Sequence, residues 1–283
     1  MRSKTRNAII TLISLWVIVF GGVPLLLLLI TSFLKQHPDD FLSLSFSLKS
    51  YYQLLDPVYG EVMLRSVRQA GLTTLLCLIV GYPFAWITCR LQSRYRLAVL
   101  ILMMIPFLTN SLIRTYAVRI LLGTNGLINR SLLFIGLIDS PIKIMYTDLA
   151  VTLGLVYLML PFMVLPLYAN LEKFDYQLVE VSRDLGAGPI YTFRTVVWPL
   201  TLPGIIAGCI MVFVPTMGLF YVATLLGGAR DLIVGNLIHQ QFLISRNWPQ
   251  GSALSVVLIL MMILMLGFYG LVLRRLTTRR EVV

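Results

Sequence analysis

Charged groups that could do chemistry are sparse in this chain, and three of them fall together. Glu180, Arg183 and Asp184 lie in Glu180-Val-Ser-Arg-Asp-Leu-Gly186, with Pro199 thirteen residues beyond the glycine. On a helix, positions 180, 183 and 184 share one face, and Arg183 is close enough to pair with Glu180. Such a polar face, held in a short loop between apolar runs, serves recognition of something outside the membrane. His37 and His239 are isolated, and no HExxH, GxSxG or G-x4-GK[ST] pattern occurs. Cys77, Cys89 and Cys209 lie in or beside apolar runs without CxxC spacing, which predicts small-residue packing and neither a disulfide nor a metal site. The chemistry that remains is docking, either of a helix into a groove on a soluble partner or of an amphipathic loop onto lipid headgroups.

A second set of polar and aromatic residues sits inside apolar runs. Thr109, Asn110 and Tyr116 follow Pro106, and Phe220, Tyr221 and Thr224 lie together further on. Polar groups at membrane depth are costly and usually face a cavity or a partner helix. Aromatic faces hold ammonium groups by cation–π attraction, although an interfacial aromatic belt accounts for the same residues. Arg114 and Arg119 fit snorkelling or structural pairing better than a place in a cavity.

The elements that position these residues are membrane spans. Of 283 residues, 58% are apolar and 12% charged, and the mean hydropathy is +0.87. An ordinary soluble domain, in which about a quarter of residues are charged, is excluded. A span needs roughly 20 apolar residues, and six stretches qualify: 8–33, 67–89, 97–121, 148–170, 201–226 and 251–273. The first is too long for a signal-peptide core and has no cleavage pattern after it, so it reads as an uncleaved span. The chain is predicted to be one all-α membrane domain over 1–283.

Six spans place both termini on one side. That side collects Arg2, Lys4, Arg6, then Arg90, Arg94, Arg96, then Lys173, Arg183, Arg194, and finally Arg274, Arg275, Arg279 and Arg280. The positive-inside rule makes it cytoplasmic. The net charge of +11 therefore reports membrane orientation and not nucleic-acid binding. The opposite side carries the longer connections, among them 35–63 with Asp39, Asp40, Asp56 and Glu61, and 227–250 with Trp248-Pro249.

Between the fourth and fifth spans lies a cytoplasmic loop over 171–200. Its apolar positions follow a helical period up to Gly186. Gly186-Ala-Gly188-Pro189 then turns the chain, and a second helix is predicted over 190–197, ending before Trp198-Pro199.

Glu180-Val-Ser-x3-Gly186-x9-Val196-x-Trp198-Pro199 resembles the EAA loop of ABC-importer permease subunits, with Val181 and Ser182 replacing the two alanines. The resemblance implies a type I permease fold in which this loop is a coupling helix. It docks into a cytoplasmic ATPase, with Glu180, Arg183, Asp184, Gly186 and Pro199 as the coupling residues. ATP is then bound and hydrolysed by partner subunits, and this chain is a transport subunit with no cofactor or metal of its own. The absence of a phosphate-binding loop agrees with that division.

Pro106-Phe-Leu-Thr109-Asn110-Ser-Leu-Ile-Arg114-Thr-Tyr116, Asp139-Ser-Pro-Ile, Pro161-Phe-Met-Val, Leu226-Gly-Gly and Asn247-Trp248-Pro249 further resemble the spermidine/putrescine permeases, nearest their B-type subunit. That likeness implies a bacterial inner-membrane importer of polyamines, working by alternating access. Its partners would be a second permease, an ATPase dimer and a periplasmic binding protein, with the binding protein received on the periplasmic loops. Thr109, Asn110, Tyr116, Phe220, Tyr221 and Thr224 are the candidate pathway residues. Such permeases commonly carry an acidic residue where this chain has Thr224. Another small cation or an amino-acid-like solute is the alternative cargo. A secondary carrier is the less favoured class, since internal repeats and intramembrane carboxylates are not evident. Within the fifth span, Pro203 and Pro215 predict bends, and Gly204-x3-Gly208 predicts close helix packing, against the second permease or within the chain.

Overall fold

The computed structural model describes residues 2–36, 43–228 and 233–278. His37, Asp39, Asp40, Arg279 and Arg280 of the sequence reading lie outside them. In chain order the helices are α1 (Arg2–Val17), α2 (Val23–Ser32), α3 (Lys49–Gln53), α4 (Pro57–Arg90), α5 (Ser93–Met104), α6 (Ser111–Leu122), α7 (Leu127–Phe134), α8 (Asp148–Leu171), α9 (Gln177–Asp184), α10 (Pro189–Thr192), α11 (Trp198–Gly218), α12 (Phe220–Val222), α13 (Val234–His239) and α14 (Trp248–Thr278). Two short strands, β1 (Leu34–Lys35) and β2 (Ser43–Phe46), pair antiparallel. Five described helices are long and apolar enough to cross a membrane, and a bent pair supplies a sixth crossing.

Two compact units are distinguished, Met1–Met63 with Val234–Leu264, and Leu64–Ile233 with Met265–Val283. In the first, the span Ile9–Ser32 is tied at its end. Thr31 shares a hydrogen bond with Ser252 and Ser32 shares one with Tyr51, each of 2.8 Å. The Phe33 ring stacks on Phe46 and leans on Tyr51. The remaining surface of that span is apolar and exposed, as lipid contact requires.

The second unit is organised around α8, which buries Leu155, Leu158, Met163, Leu167 and Leu171. Its main partner is α11, and the two glycines of Gly204-x3-Gly208 make that approach possible. A Cβ on Gly208 would lie 2.7 Å from the Met163 sulfur and 3.1 Å from the Met163 carbonyl oxygen. One on Gly204 would lie 2.6 Å from the Asn170 Cβ. The small-residue face is therefore filled from within the chain, which is the intramolecular one of the two readings.

The spans differ from expectation at three places. The predicted third span, 97–121, is broken: Ser93–Leu108 and Ser111–Phe134 meet at 95°. Pro106 tightens the chain into a 3-10 turn over Ile105–Leu108, and Asn110 starts a new helix by accepting from Leu112 N–H at 2.8 Å. Two helices at that angle do not both follow the membrane normal, so this crossing is a broken one, bent between Leu108 and Ser111. The predicted fifth span, 201–226, starts earlier and ends earlier. α10 runs through a π turn over Phe193–Val197 into α11 without a stop. Pro199 lacks an N–H, and the π turn before it absorbs the missing ladder bond. Beyond Gly218, Leu219 leaves helical geometry at φ −77° and ψ 59°, and α12 and a second π turn over Ala223–Gly227 follow. Finally, α4 begins at Pro57, ten residues before the predicted 67. At 34 residues and about 1.5 Å per residue it is longer than the hydrocarbon layer.

Candidate functional site

The docking loop begins where α8 ends at Leu171. Asp175 caps α9 by accepting from Gln177 N–H at 3.0 Å. α9 presents Leu178, Val181 and Leu185 to the outside, Leu185 being 83% exposed, and turns Val179 inward. It ends in a Schellman turn. Gly186 N–H donates to Arg183 C=O at 2.8 Å and Ala187 N–H to Ser182 C=O at 3.1 Å, with Gly186 at φ +84°. Pro189 then opens α10, as its fixed φ allows. Across the turn, the Ser182 and Thr192 hydroxyls meet at 3.0 Å and fix the angle between the two helices.

The result is an open concavity of about 790 Å³ lined by Leu178, Val181, Leu185, Gly186, Tyr191 and Val196 among others. Glu180, Arg183, Asp184, Gly186 and Pro199, the five predicted coupling residues, are all exposed on this loop. Among the described residues no ion pair joins Arg183 to Glu180. The charges face outward, and the pairing expected from their spacing is corrected. The hollow is lined by apolar and small polar residues, and an exposed apolar concavity of this kind is suited to receive a protein surface, while Glu180, Arg183 and Asp184 lie on the other face of α9.

Rings hold the loop against the rest of its unit. Trp86 on α4 lies 6.2 Å from Phe174 and 5.8 Å from Tyr176, at the loop's entry. Tyr82, one turn earlier, lies 6.0 Å from Phe193 and 6.4 Å from Trp198, at its exit. The Arg90 guanidinium covers Trp86 at 4.7 Å and Tyr176 at 5.8 Å. Burial raises the Tyr176 phenol above its ordinary pKa, with Cys89 adding to the rise and the cations Arg90 and Arg96 opposing it. Of these rings only Trp198 is marked in the sequence, as part of the Val196-x-Trp198-Pro199 pattern. For the others, the spacing of Tyr82 and Trp86 at i, i+4 was the one visible signal.

The candidate pathway residues divide between two elements. Tyr116 lies on α6 and is half exposed, while Thr109 and Asn110 stand at the break before it. Thr109 donates to Pro106 C=O at 2.7 Å and Asn110 caps α6, so both carry structural duties at the bend. Phe220 and Tyr221 meet edge to face at 6.0 Å, and Thr224 donates to Phe220 C=O at 2.9 Å. α6 packs on the Ala223–Gly227 turn, and this brings the two elements together. Arg114 is buried to 8% exposure with its guanidinium 4.3 Å from the Phe107 ring centre, whereas Arg119 reaches Tyr146 Oη at 3.3 Å. Of the two readings for Arg114, structural pairing holds and snorkelling does not.

Behind this region the Leu226-Gly227-Gly228 element is locked to its neighbours. Tyr146 N–H donates to Leu226 C=O at 2.8 Å, Gly228 adopts φ +72° against the Tyr146 ring, and the Leu226 side chain fills the space that Gly154 leaves open. Asn129, fully buried, donates to the carbonyls of Gly123 and Ile142 and accepts from Ile142 N–H. It pins Ile142 of the Asp139-Ser-Pro-Ile segment to the turn after α6. No sequence pattern marked it, because its partners are backbone atoms.

The same chain plan is found in known transport proteins. Over 267 residues the chain is 49% identical to the spermidine/putrescine transport system permease protein PotB of Salmonella typhimurium (strain SL1344), covering 94% of this chain and 93% of that one. It is 49% identical over 261 residues to PotB of Escherichia coli (strain K12), covering 92% and 94%. A crystal structure of a bacterial alginate ABC transporter, in complex with alginate pentasaccharide-bound periplasmic protein, shares the type I permease fold. The TM-score is 0.78 at 16% identity, over 98% of this chain and 96% of that one. The family model for the binding-protein-dependent transport system inner membrane component matches residues 74–280, from within α4 to the end of α14, and so takes in both the docking loop and the α6 region. A multi-pass helical chain that matches that family over most of its length is a transport permease and not an enzyme: it belongs to the binding-protein-dependent transport system inner membrane components.

Proposed function

We propose that this permease is one half of an ATP-driven importer of polyamines, spermidine or putrescine, in a bacterial inner membrane. The observation that carries the importer reading is the exposed, Schellman-turned hollow at Leu178–Val196, built to receive another protein. Its partner there is a cytoplasmic ATPase, with Glu180, Arg183 and Asp184 making the polar contacts and Gly186 admitting a close backbone approach. Pro199 holds the loop's second helix in line with α11. Closure of the ATPase pair would then move the spans and alternate access. A second permease would complete the pathway, and a periplasmic binding protein would deliver the cargo. Both termini face the cytoplasm, in keeping with the basic residues gathered on that side.

The cargo rests on the PotB relatives and on the chemistry near α6. Tyr116, Phe220 and Tyr221 offer aromatic faces of the kind that hold ammonium groups, each contributing about 0.5–2 kcal/mol. Thr109, Asn110 and Thr224 supply oxygen acceptors for the same groups. Reconstitution of the whole complex in liposomes with binding proteins loaded with spermidine, putrescine, another cation or an amino acid would test this. Polyamine-loaded protein is expected to stimulate ATP hydrolysis and uptake. No stimulation by either polyamine would overturn the cargo and leave the permease assignment in place.

A further inference from the structure

Both ends of the docking loop grip the same stretch of one span. Phe174 and Tyr176, just before α9, lie against Trp86, and Phe193 and Trp198, just after α10, lie against Tyr82. Tyr82 and Trp86 are four residues apart on α4, so they stack along one face within a single turn. Arg90, one turn further, closes the entry side by covering Trp86 and Tyr176 together. The Tyr82 hydroxyl also lies 3.2 Å from that of Thr201, which ties the same turn of α4 to α11.

The loop between these anchors makes few other attachments. α9 shows most of its surface to the outside, and its contacts run to α10 and the Phe193–Val197 turn. Apart from the Glu172–Arg96 ion pair at its start, 3.3 Å long, a push on α9 leaves the loop by two routes. One is the covalent route into α8 and α11. The other is the ring contacts onto α4, a helix joined to the loop by no short stretch of chain.

We infer that Tyr82, Trp86 and Arg90 are positioning residues that convert displacement of the docking loop into displacement of α4. This rests on the reading of that loop as the ATPase contact. A set of flat rings and one planar cation is suited to the role. Edge-to-face and cation–π contacts lose energy when rings slide or tilt, so they resist shear better than aliphatic contacts of equal area. None of the three residues lines the docking hollow. They are therefore expected to affect what happens after the ATPase binds and not the binding itself.

The test uses the complete transporter in liposomes, with three readouts: ATPase co-purification, basal ATP hydrolysis, and stimulation by loaded binding protein. Trp86→Leu is expected to keep the first two and to lower stimulation about tenfold, equal to about 1.4 kcal/mol of coupling free energy. Trp86→Phe, which keeps a ring, is expected to recover most of it. Should Trp86→Leu fail to insert, Arg90→Leu removes only the outer cation and is expected to give the same split, with Arg90→Lys recovering part. Unchanged stimulation in Arg90→Leu and Trp86→Leu would overturn the inference. So would a loss of stimulation that merely follows a loss of co-purification, since the rings would then only shape the loop. Failure of the docking assignment itself is read separately, from a Gly186→Asp complex that still co-purifies.

Discussion

The hydroxyls of Ser182 on α9 and Thr192 on α10 meet at 3.0 Å across a turn whose pivot is Gly186. One side-chain bond and one left-handed residue thus set the angle at which the docking hollow opens. Ser182 stands where related loops carry alanine, and here its hydroxyl is put to use.

Gly186→Asp should separate docking from folding. An added Cβ meets nothing within 4 Å, but φ is +84°, and a non-glycine residue there costs about 1–2 kcal/mol. The local cost and a new charge on the hollow are expected to abolish ATPase co-purification while membrane insertion stays normal. Pull-down from solubilised membranes checks both.

Opposite signs are expected for two glycines in spans. Gly208 faces backbone of Met163 that cannot yield, so Gly208→Ala should destabilise by about 1–3 kcal/mol. Gly71 on α4 has open space, and Gly71→Ala should be neutral or stabilise by up to about 1 kcal/mol through helix propensity. Thermal unfolding in detergent distinguishes them.

Asn129→Ala should lower stability by about 1–3 kcal/mol, because it strands the Ile142 N–H and removes a second hydrogen bond from the Gly123 and Ile142 carbonyls, which keep only the N–H of Gly126 and Ile144. Asn129→Asp would bring a carboxylate against those carbonyls and is expected to be worse. Protease sensitivity near Pro141 provides the readout.

The buried Tyr176 phenol gives an alkaline limit. Its folded pKa is raised above the ordinary value of about 10, so the neutral form is favoured in the fold. The stability it contributes is fully present below the unfolded pKa and is lost as pH rises through the folded one. Tyr176→Phe keeps the ring and should flatten the fall in melting temperature above about pH 10. An unchanged alkaline slope in the variant would show that another group controls it.

Thr224→Asp addresses cargo. A carboxylate near a passing polycation in a low-dielectric passage is strongly favourable. The variant is expected to reach half-maximal stimulation at about tenfold lower polyamine, about 1.4 kcal/mol. No change would remove position 224 from the pathway.

The sequence by itself determined that this chain is a helical membrane protein, where most of its spans lie, and that residues 180–199 form a helix-turn-helix loop. Those features come from local causes: apolar runs long enough to cross a bilayer, a glycine at a left-handed turn, and a proline at a helix start. Other outcomes depended on which surfaces meet. The break at Thr109–Asn110 came from Pro106 acting with a cap. The early end at Gly218 comes three residues after Pro215, but the turn itself falls on Leu219, which has no breaking tendency of its own. Gly204 and Gly208 looked equally suited to a partner subunit until Met163 and Asn170 were found against them. Trp86 and Tyr82 read as ordinary span aromatics and took on a role only when residues 88 to 116 positions away were placed over them. Periodicity records how a helix is patterned, while the choice of neighbour belongs to long-range packing, and only the tertiary structure decides that.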